Sequence, residues 1–309
     1  MAKRKPSELN LLLAVDKPTG CTSHDVVAKV RRQLGERRVG HAGTLDPLAT
    51  GVMILGVGQA TRLLGQITLE TKSYLAEISF GAETNTDDAE GEVVRHAPIA
   101  LELTDPDYAR GVLSGFVGDS LQVPPAFSAI SVNGVRAYKH ARAGENVELP
   151  ARPVTVLDAT LISAAGDDLK CVWTVAFTVS KGTYIRALAR DIARSVGSCA
   201  HISALRRTSS GSISLAQCAS LEELDSHSAH ALALDPASVL GIRAHRVTDF
   251  QAVGVSMGQA LVASDFDEVA ENEQIALVHG SKICALAHRA GARVLMDQVY
   301  PQGIEGVRL

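Results

Sequence analysis

Residues 37–58 read RRVGHAGTLDPLATGVMILGVG, and they constrain the possible folds more than any other stretch. A glycine-punctuated polar loop carrying His41 and Asp46 runs directly into an apolar run, residues 52–57, that predicts a buried strand. Any fold accepting this stretch must bring a polar loop to the rim of its core. Gly40, Gly43 and Gly51 permit backbone conformations closed to other residues, and Pro47 biases Asp46 toward extended backbone, which fixes the direction of the carboxylate. A lone Asp-Pro is an ordinary turn opener whose carboxylate caps nearby amides. The surroundings of this one favour a positioned acid.

Basic residues gather on either side of the chain's middle. Between residues 29 and 41, Lys29, Arg31, Arg32, Arg37 and Arg38 face only the acid Glu36. Between residues 181 and 207, Lys181, Arg186, Arg190, Arg194, Arg206 and Arg207 face only Asp191, and Arg186, Arg190 and Arg194 fall four apart, in one row if helical. The net charge is −4, so binding of a polyanion would have to come from such local patches. Solvated faces are the competing reading of both stretches.

In chain order, residues 11–15 predict a strand ending in the turn Asp16-Lys17-Pro18-Thr19-Gly20. Ser23 is placed to cap a helix that has Val26, Val27, Val30 and Leu34 on one face and Asp25 in its first turn. Residues 59–64 are helical, and residues 72–81 alternate Tyr74, Ala76, Ile78 and Phe80 as a half-buried strand. Residues 83–92, with Asp87, Asp88, Glu90 and Glu92, lack the positions of a calcium loop and read as a solvated acidic hairpin. A helix is expected over 105–115, a hairpin turn at Asn133-Gly134 and a helical piece over 138–143.

Segments 152–163 and 169–180 predict an antiparallel hairpin that leads through Lys181-Gly182-Thr183 into a helix stopped at Gly197. Ile185, Leu188, Ala189, Ile192 and Val196 form its buried stripe. Residues 220–234 read as a helix, followed by a boundary near Asp235-Pro236. A helical piece over 249–255 and strands over 275–286 and 293–299 then suggest a small, mostly β appendage. The expected class is mixed α/β (α+β), with residues 1–240 as the main domain and 241–309 as a small C-terminal one.

Several chemistries lose support. The basic N-terminus is followed by an apolar run too short for a signal core or membrane span, which points to the cytoplasm. Cys21, Cys171, Cys199, Cys218 and Cys284 never pair as C-x-x-C, so neither zinc nor a disulfide framework is suggested. Gly56-x-Gly58 lacks the third glycine of a dinucleotide fingerprint, and no P-loop occurs. His227 and His230 have no accompanying metal motif.

GHAGTLDPLATGV, at residues 40–52, resembles the catalytic motif of the bacterial TruB-type tRNA pseudouridine-55 synthases. The resemblance continues in DKPTGCTSHDVV (16–27), KSYLAEISFG (72–81), VPPAFSAI and YKHARAG (123–144), GTYIRALARDI (182–192) and ISALRRTSSG (202–211), and loosens after residue 240. It implies a pseudouridine-synthase-type mixed, largely antiparallel sheet flanked by helices, and a C-terminal domain of RNA-binding type. The substrate it implies is the tRNA T stem-loop, with no cofactor, metal, membrane or obligate protein partner.

Asp46 matches the nucleophile, attacking either the ribose C1′ or the uracil C6. Arg186 matches the arginine that keeps this acid ionised, and Tyr74 the tyrosine stacking on the target base. His41 matches the loop histidine near the flipped nucleotide, and Leu205 the apolar residue beside the pocket. Tyr184 would support the pocket wall, and Arg31, Arg32, Arg37 and Arg190 would meet phosphates. A non-catalytic RNA-binding protein would not need Asp46, Tyr74 and Arg186 together. A glycoside hydrolase would need a second motif-borne carboxylate.

The family usually carries lysine after SAI, where this chain has Ser131. Ser131→Lys is expected to tighten tRNA binding and steepen its salt dependence by a slope of about one, without changing the single-turnover rate of bound tRNA. Filter-binding titrations across a salt series measure it.

Overall fold

The computed structural model describes residues 6–67, 71–128, 130–132, 135–137, 140, 145, 149–167 and 169–308. Asn133-Gly134, most of the helical piece expected over 138–143, and the side chain of Ser131 lie outside the described residues. The chain forms two compact units. One comprises Met1–Asp46, Gly51–Leu69 and Gly211–Leu309, the other Pro47–Thr50 and Glu70–Ser210.

In the first unit the strand Leu12–Lys17 pairs antiparallel with Thr50–Val57, which pairs on with Val39–Ala42. Alternation divides the buried residues of the two longer strands between two cores. Leu11, Leu13, Val15, Met53, Leu55 and Val57 pack with Val26, Val27, Val30 and Leu34 of the helix Ser23–Leu34. Leu12, Ala14, Val52 and Ile54 pack with Ala276, Val278, Ile283, Leu286, Tyr300 and Ile304. A strand covered on both faces can be apolar at every position, which is the run seen in the sequence at 52–57.

The C-terminal part is the expected small β body. Its sheet runs in the order Arg243–Arg246, Gln274–His279, Lys282–Ala290, Arg293–Glu305, Leu261–Val262, with the first pair parallel. The expected strand over 275–286 is a hairpin that turns at Gly280, in the left-handed conformation. One face of this sheet has its own core, with Val247, Val255, Phe266, Ile275 and Val294. The other joins the core of the N-terminal strands.

Residues 220–234 do not form the expected helix; only Ser228–Ala231 is helical. Asp225 accepts from the amides of His227 and Ser228, Ser228 Oγ donates to the Glu223 carbonyl, and Glu223 accepts from the Ser220 amide. Short polar side chains here take the bonds that a helix ladder would need.

The second unit carries strands in the order Ala200–Ser210, Lys72–Phe80, Cys171–Val179, Arg152–Gly166, Gly118–Gln122, all antiparallel. The hairpin expected from 152–163 and 169–180 is present. Leu169 falls outside it and is exposed. Trp173 packs on Phe80 with ring centroids 4.7 Å apart and donates from its indole nitrogen to the Leu103 carbonyl at 2.6 Å. The helices Pro106–Ser114 and Ile185–Ser195 belong to the same unit, the latter burying Ile185, Leu188, Ala189 and Ile192.

Gly58 shows why one glycine of the leading stretch is required. It has φ +60°, and a Cβ would collide with the Leu9 carbonyl and the Asn10 side chain. Its amide also bonds the Arg38 carbonyl. Gly58→Ala is expected to destabilise the fold by at least about 2 kcal/mol, read from urea unfolding midpoints.

Candidate active site

Strand Val39–Ala42 pairs with Thr50–Val57 from Val39 opposite Val57 to Ala42 opposite Ile54, so residues 43–49 form the loop at the end of this hairpin. Gly43 at φ +81° and Gly51 at φ +104° bend the backbone where L side chains are strained. The residue before Asp46 is pinned. Ser23 Oγ donates to the Leu45 carbonyl and accepts from the Leu45 amide, both at 2.8 Å, and Leu45 is buried. Asp46 is left half-buried next to that anchor, and His41 is half-buried opposite Leu55.

Ser23 is free to do this because it is not the helix cap, as its sequence position suggests. Thr22 is: its hydroxyl accepts from the Asp25 amide, and the Asp25 carboxylate accepts from the Thr22 amide, a reciprocal capping box. The Thr22 hydroxyl also donates to the Asp25 carboxylate, and this bond together with that from the Thr22 amide holds the carboxyl below the usual carboxylate range.

The helix delivers a basic surface at its far end. Arg32 and Arg37 are exposed, whereas Arg31 is partly buried and donates to the Val39 carbonyl at 2.8 Å. Lys29 pairs with Glu222 at 2.8 Å. The stretch's one acid, Glu36, is turned inward, accepting from the amides of Glu8 and Leu9. Its charge is thereby removed from the surface that Arg32 and Arg37 present.

In the second unit, Tyr74 lies opposite Phe177 on one side and Arg207 on the other, and Leu205 lies opposite Ala76. Cross-strand partners share a face, so the register puts Tyr74, Leu205, Arg207 and Phe177 on one side of the sheet. All four are buried. Tyr184 precedes the helix Ile185–Ser195: its amide donates to Gln122 Oε1 at 2.8 Å, and its side chain packs against Ile130, Ala137 and Leu149.

Two of the three arginines in this helix's row, Arg186 and Arg190, are buried, and Arg194 is exposed. Arg186 is buried; NH1 donates to the Thr86 carbonyl at 2.6 Å and lies 3.5 Å from Asp88 Oδ2, and NH2 donates to the Phe127 carbonyl at 3.1 Å. Arg190 is buried too, with NH1 on Asp87 Oδ2 at 2.9 Å, Nε on Asp191 at 3.0 Å and NH2 on the Val123 carbonyl at 2.8 Å. Arg194 pairs with Glu83 at 2.5 Å.

Two expectations change. Segment 83–92 is the expected hairpin, with Ala82–Thr84 pairing antiparallel with Val93–His96, but it is not solvated: Glu83, Asp87 and Asp88 are buried as counter-charges to the row, and of its acids only Glu90 and Glu92 remain exposed. Arg190, expected at a phosphate, has its guanidinium engaged by the protein's own groups. The missed signal was the pairing of a four-spaced arginine row with an acidic segment about a hundred residues earlier. Among the described residues, no group of three or more His, Cys, Asp or Glu side chains could hold a metal ion. His230 pairs with Glu305 at 2.9 Å. No described helix is long and apolar enough to cross a membrane.

Residues 31–185 match the TruB family pseudouridylate synthase N-terminal domain, and residues 186–245 the tRNA pseudouridylate synthase B C-terminal domain. The archaeal box H/ACA sRNP Nop10-Cbf5 complex contains a chain of the same fold, with a TM-score of 0.65 and 21% identity over 96% of this chain and 88% of that one. Matched domains and mixed sheet together define an RNA-modifying isomerase. The tRNA pseudouridine synthase B of Mycobacteroides abscessus is 44% identical over 91% of this chain and 93% of its own length. That of Nocardia farcinica is 50% identical over 72% of each. The chain belongs to the TruB family of pseudouridylate synthases.

The buried Asp87 carboxyl gives this region a pH signature. Desolvation raises its pKa to about 6, against the pull of the Arg190 and Arg186 guanidinium groups. Between the ordinary value of 3.8 and about 6 the folded protein holds a proton that the unfolded chain has lost. This contribution to stability is full below the lower value and is lost as pH rises through the upper one. From pH 5 to about 7.5, wild type should lose roughly 1 kcal/mol relative to Asp87→Asn. Urea unfolding of both proteins at the two pH values measures it.

Proposed function

We propose that the protein isomerises uridine 55 in the T loop of tRNA to pseudouridine, with Asp46 as the nucleophile. The observation that carries this reading is the hairpin loop 43–49, in which the GHAGTLDPLATGV motif holds Asp46 next to a buried, doubly hydrogen-bonded Leu45. The step balances without redox: the N1–C1′ bond breaks, the base turns, a C5–C1′ bond forms, C5 loses its proton and N1 gains one. Substrate and product are isomers, so the reaction calls for no cofactor.

Asp46 attacks either the ribose C1′ or the uracil C6. Arg186 supplies the opposite charge that keeps Asp46 ionised, and Tyr74 stacks on the target base. His41 lies by the flipped nucleotide, Leu205 packs beside it, and Tyr184 supports the wall. Extruding the base from the T loop costs roughly a few kcal/mol, offset by phosphate contacts from Arg32 and Arg37, with Arg31 at their edge. In this reading residues 1–240 form the catalytic part and residues 241–309 an RNA-binding-type part, and the chain acts on tRNA in the cytoplasm without an obligate protein partner.

The purified chain alone should release tritium from tRNA labelled at uracil C5. Asp46→Asn should bind the same tRNA and release none, because the amide keeps the shape and loses the nucleophile. Appreciable release by that variant would remove Asp46 from the chemistry.

A further inference from the structure

The arginine row has a regularity beyond charge pairing. Arg186 and Arg190, one helical turn apart, each grip the same two segments. Arg186 holds the Thr86 carbonyl and Asp88 on one side and the Phe127 carbonyl on the other. Arg190 holds Asp87 on one side and the Val123 carbonyl on the other. Between the two grips on the acidic segment lies Asp87 at φ +59°, one of two non-glycine residues with positive φ among the described residues. Its carboxylate pairs with Arg190 at 2.9 Å, while the Asp87 backbone bonds the Thr84 carbonyl and the Ile202 amide. Thr86 Oγ1 closes the turn on Asp88 Oδ1 at 2.6 Å.

We propose that Arg190 is a positioning residue: by clamping Asp87 in its left-handed turn and the Val123 carbonyl beside it, Arg190 sets the acceptors that orient Arg186. Loss of Arg190 leaves Asp87 buried without its counter-charge, and the turn relaxes. The Thr86 carbonyl and Asp88 carboxylate, which flank Asp87 in sequence, move with it. Both are partners of Arg186 NH1. The inference rests on the proposed role of Arg186, and it replaces a phosphate contact by Arg190 with an action through another residue.

The test is single-turnover tritium release from C5-labelled tRNA with enzyme in saturating excess, which reads the rate constant of folded enzyme and not its amount. Arg190→Gln should lower this rate constant by at least roughly tenfold, since small misplacements of a catalytic group are costly. Its tRNA dissociation constant and salt slope should stay at wild-type values. Arg190→Lys, which keeps a charge for Asp87, should recover part of the rate. Asp87→Asn should reproduce the loss, and the double variant should be no slower than the slower single one, as expected of a pair acting as a unit.

The proposal is overturned if Arg190→Gln and Asp87→Asn both keep rate constants within about twofold of wild type. It is equally overturned if Arg190→Gln weakens tRNA binding and flattens the salt slope by about one, which is the behaviour of a phosphate contact. Should Arg190→Gln not fold, Asp87→Asn decides by itself. Arg186→Ala separates the two levels: a near-wild-type rate there defeats the reading of Arg186, whereas a slow Arg186→Ala beside normal Arg190 and Asp87 variants defeats only this inference.

Discussion

Guanidinium pairing along one face of the helix Ile185–Ser195 is the interaction that ties the acidic segment 83–88 to the rest of the second unit. A buried charge is tolerated only when a partner and hydrogen bonds accompany it, and removal of either partner strands the other. Arg186, Arg190 and Arg194 meet Asp88, Asp87 and Glu83 in antiparallel succession along the helix, with Thr86, Val123 and Phe127 supplying carbonyls. Arginine suits this task because its planar fork presents donors in several directions at once. The helix thus has two buried faces of different character, aliphatic toward the sheet and ionic toward the acidic segment.

The first unit solves a different problem, that of holding a polar loop at the edge of an aliphatic core. Its central strands send alternate side chains into two separate cores, so the hairpin leading into residues 43–49 is fixed on both sides. The Ser23 hydroxyl then ties down the loop at Leu45, the buried neighbour of Asp46. The backbone just ahead of the acid is thereby restrained.

Much of this was legible in the chain. Alternation at Tyr74, Ala76, Ile78 and Phe80, the stripe of Ile185, Leu188 and Ile192, and the glycine-proline punctuation around Asp46 each report a local constraint, and each appears as read. What failed to show was long-range. Ser23 reads as a cap because the competition from Thr22 is decided by geometry, and its partner Leu45 lies 22 residues away. Glu36 counts in the sequence only as the lone acid of a basic stretch, yet it binds the amides of Glu8 and Leu9. Asp87 and Asp88 read as solvated because acids in a loop usually are, and only the pairing with a distant arginine row reverses that. Residues 220–234 misled in the other direction: their composition suits a helix, but serine and aspartate at close spacing captured the local amides first.

The first unit's two cores contain strands from opposite ends of the chain. Leu12 and Ala14 share one of them with Tyr300 and Ile304, the Gln302 side chain donates to the Ser7 carbonyl, and the Glu305 amide to that of Asn10. Synthesis therefore releases the two units in an order opposite to their order of initiation. The strand Leu12–Lys17 waits, with an uncovered aliphatic face, for strands made nearly three hundred residues later. During that interval the nascent protein exposes an apolar face that its completed fold buries.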